Sequence, residues 1–282
     1  MRLGLVFAVL ALLLTGCGEK GPPARPALWE ISASEGIRGY LFGTIHTLDE
    51  DVAWRSEVFD RAFHDADTLV VEAAGITDAK ASERIWRRLA FSPNLPPLTQ
   101  RVAPGDAAAL KAALDKAGLK ESAFAGTESW AAALTLAKAL RQEDGEGIDI
   151  ALLKNAKGKQ VTELEGVMGQ LAIFDRLAEE DQSALLAAVA RSDPGEEARL
   201  ATLWRAGDID GIAAETHKGI LADPDLREAL LVARNRVWEG RIESLLEARR
   251  RPFVAVGAAH LAGPDGLPAM LAERGYTVRR IQ

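Results

Sequence analysis

The two ends of the chain carry the same pattern, and that pattern restricts the fold more than anything else in the sequence. Near the start, a β-prone run ends in Gly43-Thr44-Ile45-His46 and is followed by a loop, a helical stretch and a further strand from Thr68. Near the end, Phe253 to Val256 leads into Gly257-Ala258-Ala259-His260, and again a loop, a helical stretch to Arg274 stopped by Gly275, and a strand from Thr277. Strand–helix–strand units of this kind build sheets covered by helices. An internal duplication would make the two histidines counterparts. The expected fold class is therefore α/β: a duplicated strand–GxxH–helix–strand core sheet with a large α-helical insertion between the halves.

That insertion is expected over about 78–249, where Ala, Leu and charged residues recur at helical spacing. One strand interrupts it near 160–164. Smaller elements follow from local signals. Trp29 to Ser32 and Tyr40 to Ile45 read as a hairpin, and Thr68 to Glu72 as a third strand. Asp49 to Asp51 are expected to cap a helix reaching His64. Asp223-Pro224 should open the last helix of the insertion, with proline in the permitted first turn.

The first seventeen residues read differently. Arg2 precedes an apolar run from Leu3 to Leu14 that is shorter than the roughly 20 residues a membrane span needs. It fits a secretory signal over 1–16. Leu14-Thr15-Gly16-Cys17 resembles the lipobox of bacterial lipoproteins, so Cys17 is expected to carry a lipid. The alternative is an ordinary cleaved signal with a lone thiol. Cys17 is the only cysteine, which excludes a disulfide within the chain. Residues 17–27, rich in Gly and Pro, read as a lipidated tether, and 28–282 as one domain. Gly18 after the cysteine favours the outer over the cytoplasmic membrane, with the domain on the periplasmic side.

Composition closes off other classes. A formal charge of −7 argues against nucleic acid and against broad adhesion to anionic lipid. Hydrophobic content of 48% suffices for a substantial core.

Residues able to carry chemistry gather at expected strand ends. His46, Glu72, Glu165 and His260 each follow or end a strand, and ligands of open α/β sheets collect at those carboxyl ends. Two imidazoles with carboxylates suit a divalent ion. Arg234 and Asn235 lie mid-helix in an apolar setting, where asparagine is a poor helix former, and suggest a polar network. Asp149 reads equally well as a helix N-terminal acid. His64 and His217 read as surface residues, and the six tryptophans as core anchors.

Taken in order, Leu41-Phe42-Gly43-Thr44-Ile45-His46, Leu69-Val70-Val71-Glu72, Gly147-Ile148-Asp149, Glu163-Leu164-Glu165 with Gln170, Arg234-Asn235 with Trp238, and Val256-Gly257-Ala258-Ala259-His260-Leu261 with Gly263 and Gly266 resemble the TraB/PrgY/GumN family, related to the Tiki proteases. The resemblance covers about Leu28 to Ile281. It implies a metal-dependent hydrolase-like site acting on peptide bonds, with His46, Glu72 and His260 as site residues and metal ligands. Glu165, Arg234 and Asn235 are implied as catalytic supports, and Mn, Co or Zn as the ion. On this reading a peptide or protein is the substrate and the membrane is reached through the lipid on Cys17. The wider superfamily also holds haem-binding and esterase-like members, so a haem- or metal-binding lipoprotein without turnover is the alternative function.

Overall fold

The computed structural model describes residues 23–33, 36, 38–45, 48, 52–141, 147–193 and 195–282. The expectations placed on Cys17, His46 and Asp49 to Asp51 lie outside the described residues.

Strands β1 (Leu28–Ser32), β2 (Arg38–Thr44), β3 (Thr68–Val71), β4 (Gln160–Glu163), β5 (Pro252–Gly257) and β6 (Thr277–Arg280) form one mixed sheet in the order β4-β3-β5-β2-β1-β6. β4, β3, β5 and β2 run parallel, while β1 pairs antiparallel with both β2 and β6. The helices follow in chain order: α1 (Glu57–Asp65), α2 (Ala79–Leu89), α3 (Ala107–Lys116), α4 (Ser129–Leu140), α5 (Ile148–Lys154), α6 (Gly166–Asp175), α7 (Glu179–Ala190), α8 (Glu196–Ala206), α9 (Ile209–Glu215), α10 (Pro224–Arg227), α11 (Ala233–Glu247) and α12 (Leu267–Glu273).

Strand alternation sorts the core onto two faces. On one face Phe42, Leu69, Val71, Phe253 and Ala255 meet Phe59 and Phe63 of α1, Ile148 and Leu152 of α5, Trp204 of α8 and Ile212 of α9. The Phe42, Phe59, Phe63 and Phe253 rings sit 5.0–5.8 Å apart in mostly edge-on contacts. Emptying one such ring, as in Phe253→Ala, removes about 3–5 kcal/mol. On the other face Leu41, Val70, Val254 and Val256 meet Trp238, Ile242 and Leu246 of α11 and Leu267 and Leu271 of α12. The connection from β2 to β3 passes β5 in one direction, and that from β5 to β6 passes β2 and β1 in the other. Right-handed crossovers running in opposite directions put their helices on opposite faces. α1 and α12 obey this.

The helical region between the ends does not act as one block. α3, α4 and α7 gather around Leu110, Trp130, Leu136 and Leu186 in a core of their own. α5, α8, α9 and α11 instead cover the sheet, and β4 joins the sheet as its edge strand beside β3. α1 is capped by Ser56, whose side chain accepts from the Phe59 N–H at 3.0 Å, so Trp54 precedes the helix. The chain is already docked at Ala24: its N–H donates to the Ala53 carbonyl at 2.8 Å, and the Arg25 N–H to that of Arg205 at 2.7 Å. Any flexible tether therefore ends before Ala24. No helix among the described residues is long and apolar enough to cross a membrane.

Candidate functional site

The carboxyl ends of the parallel strands meet at one edge of the sheet, and the strand-end residues are locked there by backbone as well as side chains. β2 and β5 lie side by side with Gly43 opposite Val256 and Thr44 opposite Gly257. A Cβ on Gly43 would sit 3.1 Å from the Ala258 Cβ and 3.2 Å from its Cα, so only glycine lets the turn after β5 approach this closely. Beyond β3, the Glu72 carbonyl accepts from the N–H groups of Glu165 and Gly166, both at 3.0 Å. Gly166 takes φ +71, a left-handed backbone that turns the chain from β4 into α6. Glu72 and Glu165 are thereby held on adjacent strand ends.

α11 supplies the third part. Trp238, Ile242 and Leu246 form an apolar stripe at i, i+4 spacing on the sheet. One turn earlier the stripe continues into Arg234, which overhangs the sheet edge. The turns before it, Glu228–Val232, form a π-helix, a distortion that recurs at functional sites.

All five Arg234 donors find acceptors. Nε donates to Glu165 Oε1 at 3.0 Å, one terminal nitrogen to Glu72 Oε2 at 2.8 Å and Glu165 Oε2 at 3.0 Å, and the other to the Leu230 carbonyl at 3.0 Å and His260 Nε2 at 3.2 Å. Burial pulls the guanidinium pKa down, yet the hydrogen bonds and charges of Glu165 and Glu72 outweigh it, and the net shift is upward. Arg234 is thus a permanent cation in this setting. Glu72 also accepts from the Gly257 N–H at 2.8 Å and from Gln170 at 3.0 Å. Glu165 accepts from the Trp238 indole at 2.9 Å.

The His260 tautomer follows from its partner. The Asn235 amide nitrogen donates to the carbonyls of His260 at 3.2 Å and Asp265 at 2.7 Å, which turns its oxygen toward His260 Nδ1 at 2.6 Å. A proton on Nδ1 leaves Nε2 as the lone-pair nitrogen, matching the Arg234 N–H that points at it. The ring lies against Trp238 with centroids 4.3 Å apart. Asn235 is fully buried and His260 nearly so.

The structure therefore brings Glu72, Glu165, Arg234, Asn235 and His260 together. His46 lies outside the described residues. Asp149 is indeed in the first turn of α5, and it also accepts from the Thr44 hydroxyl at 3.0 Å, which ties α5 to the end of β2. His64 and His217 are exposed. Trp238 is more than a core anchor, because its indole orients Glu165. The spacing of 234, 235 and 238 on one helix carried that signal.

Of the described residues here, Glu72 and His260 are the ones whose side chains could ligate a divalent ion, His260 only once Arg234 gives up its Nε2. An imidazole whose Nδ1–H is fixed by a second residue is the usual posture of a metal-ligating histidine. Glu72 offers a carboxylate steadied by a backbone N–H. Among the described residues no group of three or more His, Cys, Asp or Glu is placed to hold a metal ion.

The chain is 28% identical over 257 residues to the uncharacterized protein YbaP of Shigella flexneri, covering 87% of this chain and 92% of the relative. It is 28% identical over 243 residues to the uncharacterized protein YbaP of Escherichia coli (strain K12), covering 82% and 87%. No solved structure matches. The model of the TraB/PrgY/gumN family matches residues 27–280, which takes in every strand and every residue of the polar cluster, and the chain belongs to that family.

Proposed function

We propose that this chain is a hydrolase acting on peptide bonds, with its reacting centre at Glu72, Arg234 and His260. The observation that supports it most is the buried guanidinium held between two carboxylates and aimed at the lone pair of an oriented imidazole. A purely structural arginine needs no such imidazole. His260 and Glu72, with His46 from the adjacent strand end, would hold a divalent ion, which would act as a Lewis acid toward water and the scissile carbonyl.

The chain's own residues divide the remaining work. Asn235 keeps the proton on Nδ1 of His260. Glu165 has both oxygens engaged by Arg234 and Trp238, so it positions the guanidinium. Glu72 accepts the proton of attacking water as general base. Arg234, which has to give up His260 Nε2 for an ion to be held there, would be free to donate to the developing oxyanion. Val256, Leu261 and Trp238 wall the centre from bulk water.

We read the paired strand–Gly-x-x-His units as a duplication. The side-by-side placement of β2 and β5, with Gly43 against Ala258, supports this. The signal, Cys17 and the docked Ala24 support a lipid-anchored protein at the periplasmic face of a bacterial membrane, held within about 25 Å of it by an extended seven-residue link. Palmitate label should enter the wild-type chain and vanish in Cys17→Ala.

The test of the function is cleavage of a mixed peptide library by the purified chain with Mn, Co or Zn added, with chelator, and with Glu72→Gln. Metal-stimulated cleavage lost in the variant is expected. Binding of metal or haem with no cleavage under any condition would overturn the proposal.

A further inference from the structure

The chain enters the domain at the edge of the sheet that carries the polar centre. The Gly43 N–H, near the carboxyl end of β2, donates to the Ala27 carbonyl at 3.4 Å, and Leu28 pairs with Phe42. The Arg25 N–H donates to the Arg205 carbonyl at 2.7 Å, and the neighbouring Trp204 indole donates to the Gly43 carbonyl at 2.8 Å. Residues 24–27 are thus fixed against the end of β2. On its other side β2 pairs with β5, Thr44 opposite Gly257, and the Gly257 N–H donates to Glu72 at 2.8 Å. Two or three strand spacings, roughly 10–15 Å, separate this entry point from the strand ends that carry His260 and Glu72.

An entry at this edge decides how a short anchor can hold the domain. From Cys17 to Ala24 the chain reaches at most about 25 Å when fully stretched. β2, seven residues long, runs about 23 Å from the opposite edge of the sheet to this one. With the opposite edge on the membrane, Ala24 would stand at least that far above the lipid. The link would be drawn taut and would lose nearly all its conformational freedom. With the carboxyl edge toward the membrane the link stays slack. A net charge of −7 gives anionic lipid no general hold that would turn the domain over.

We propose that the edge bearing Glu72, Arg234 and His260 faces the membrane, and that the bond this chain cuts lies in a segment of another protein emerging from the same membrane, within about 40 Å of the lipid surface. The inference rests on the lipid-anchor and peptidase readings above. Confining both chains to one surface raises their effective concentration, which favours an anchored substrate over a free peptide of the same sequence.

Two measurements on the lipidated chain in phospholipid vesicles test it. The first uses α11 as a ruler. Val237 and Ala248 are both exposed. Val237 lies about one turn from Arg234, and Ala248 about 16 Å further along the helix, toward the start of β5. Val237→Cys and Ala248→Cys each take one thiol-reactive dye, because the lipid occupies the Cys17 thiol. Energy transfer to acceptor-labelled lipid should place the Val237 dye nearer the bilayer by about 10 Å or more. Roughly twenty Gly/Ser residues inserted after Gly21 should remove that difference. The second uses one palmitoylated library peptide, held either about four residues from its lipid or behind a polyproline spacer of about 25 residues, some 75 Å long. The anchored wild type should cut the near peptide at least about tenfold faster, and the unlipidated Cys17→Ala chain should cut both alike. Equal dye distances, a nearer Ala248 dye, equal cutting of near and far peptides by the anchored chain, or a chain that does not stay on vesicles overturns the proposal. Cutting of neither peptide by either form, with the dyes in the expected order, would instead overturn the hydrolase reading and leave the orientation standing.

Discussion

Arg101 is buried and Arg234 mostly so, and their surroundings differ in kind. Arg101 lies in the helical part and donates only to main-chain carbonyls: Pro96 at 2.6 Å, Thr127 at 2.5 Å and Phe124 at 3.2 Å. Burial lowers its pKa, and the nearby charges of Glu179, Glu128 and Glu121 only partly offset this. It stitches loops together with neutral acceptors. Arg234 lies at the sheet edge between two carboxylates and an imidazole, and its pKa is raised. A cation that only holds shape needs carbonyls. Arg234 is set among ionisable groups from three other segments, as the proposed exchange of partners requires.

The largest effect that would separate the two is on turnover. Arg234→Ala should lower kcat/KM by about 10³-fold, the usual consequence of losing an oxyanion donor. It also strands two buried carboxylates, so the companion Arg234→Met/Glu165→Gln should recover most of the stability and none of the rate. Steady-state peptide cleavage and thermal melts on the same samples read both. Arg101→Met should do the reverse: a loss of about 3 kcal/mol in stability, measured by urea unfolding, with kcat unchanged below the melt. A rate loss there as large as for Arg234 would erase the distinction.

Smaller effects sharpen it. Asn235→Ala frees the His260 tautomer and should weaken metal affinity by about 10–100-fold with the fold intact. Titration calorimetry with Mn or Zn checks this, and unchanged affinity would remove Asn235 from the site. The smallest effect belongs to the Arg101 side. Glu121 accepts from the Thr99 N–H and hydroxyl, both at 2.8 Å, and those bonds hold its carboxyl below the ordinary 4.5. Its contribution is complete above pH 4.5 and is lost as pH falls through the lower folded value. Glu121→Gln should flatten that acid limb by less than about 1 kcal/mol, seen by chemical denaturation at several pH values.

The same contrast marks what the sequence could reveal. The strands, the turn after β5 and the mid-helix Arg234-Asn235 pair were legible because hydrophobic period and misplaced polar residues are local signals. The membership of β4 in the main sheet was not, since parallel pairing with β3 is fixed by contacts between residues about ninety positions apart. α1 starts later than the expected Asp49–Asp51 cap, at Glu57, where the Ser56 side chain accepts from the Phe59 N–H. The π-helical turns before Arg234 have no sequence signature, yet they put the Leu230 carbonyl within reach of that guanidinium. Arg101 passed unnoticed because a loop arginine looks solvated until its loop closes over it.

The claim beneath all of this is that Arg234 is held for chemistry and not for shape. The direct measurement is kcat/KM for peptide cleavage by Arg234→Lys, which keeps the charge but not the planar fork, alongside its melting temperature. A rate lowered by about 100-fold or more, with a melt within a few degrees of wild type, is the predicted result. Full activity in a protein that merely melts earlier would contradict it.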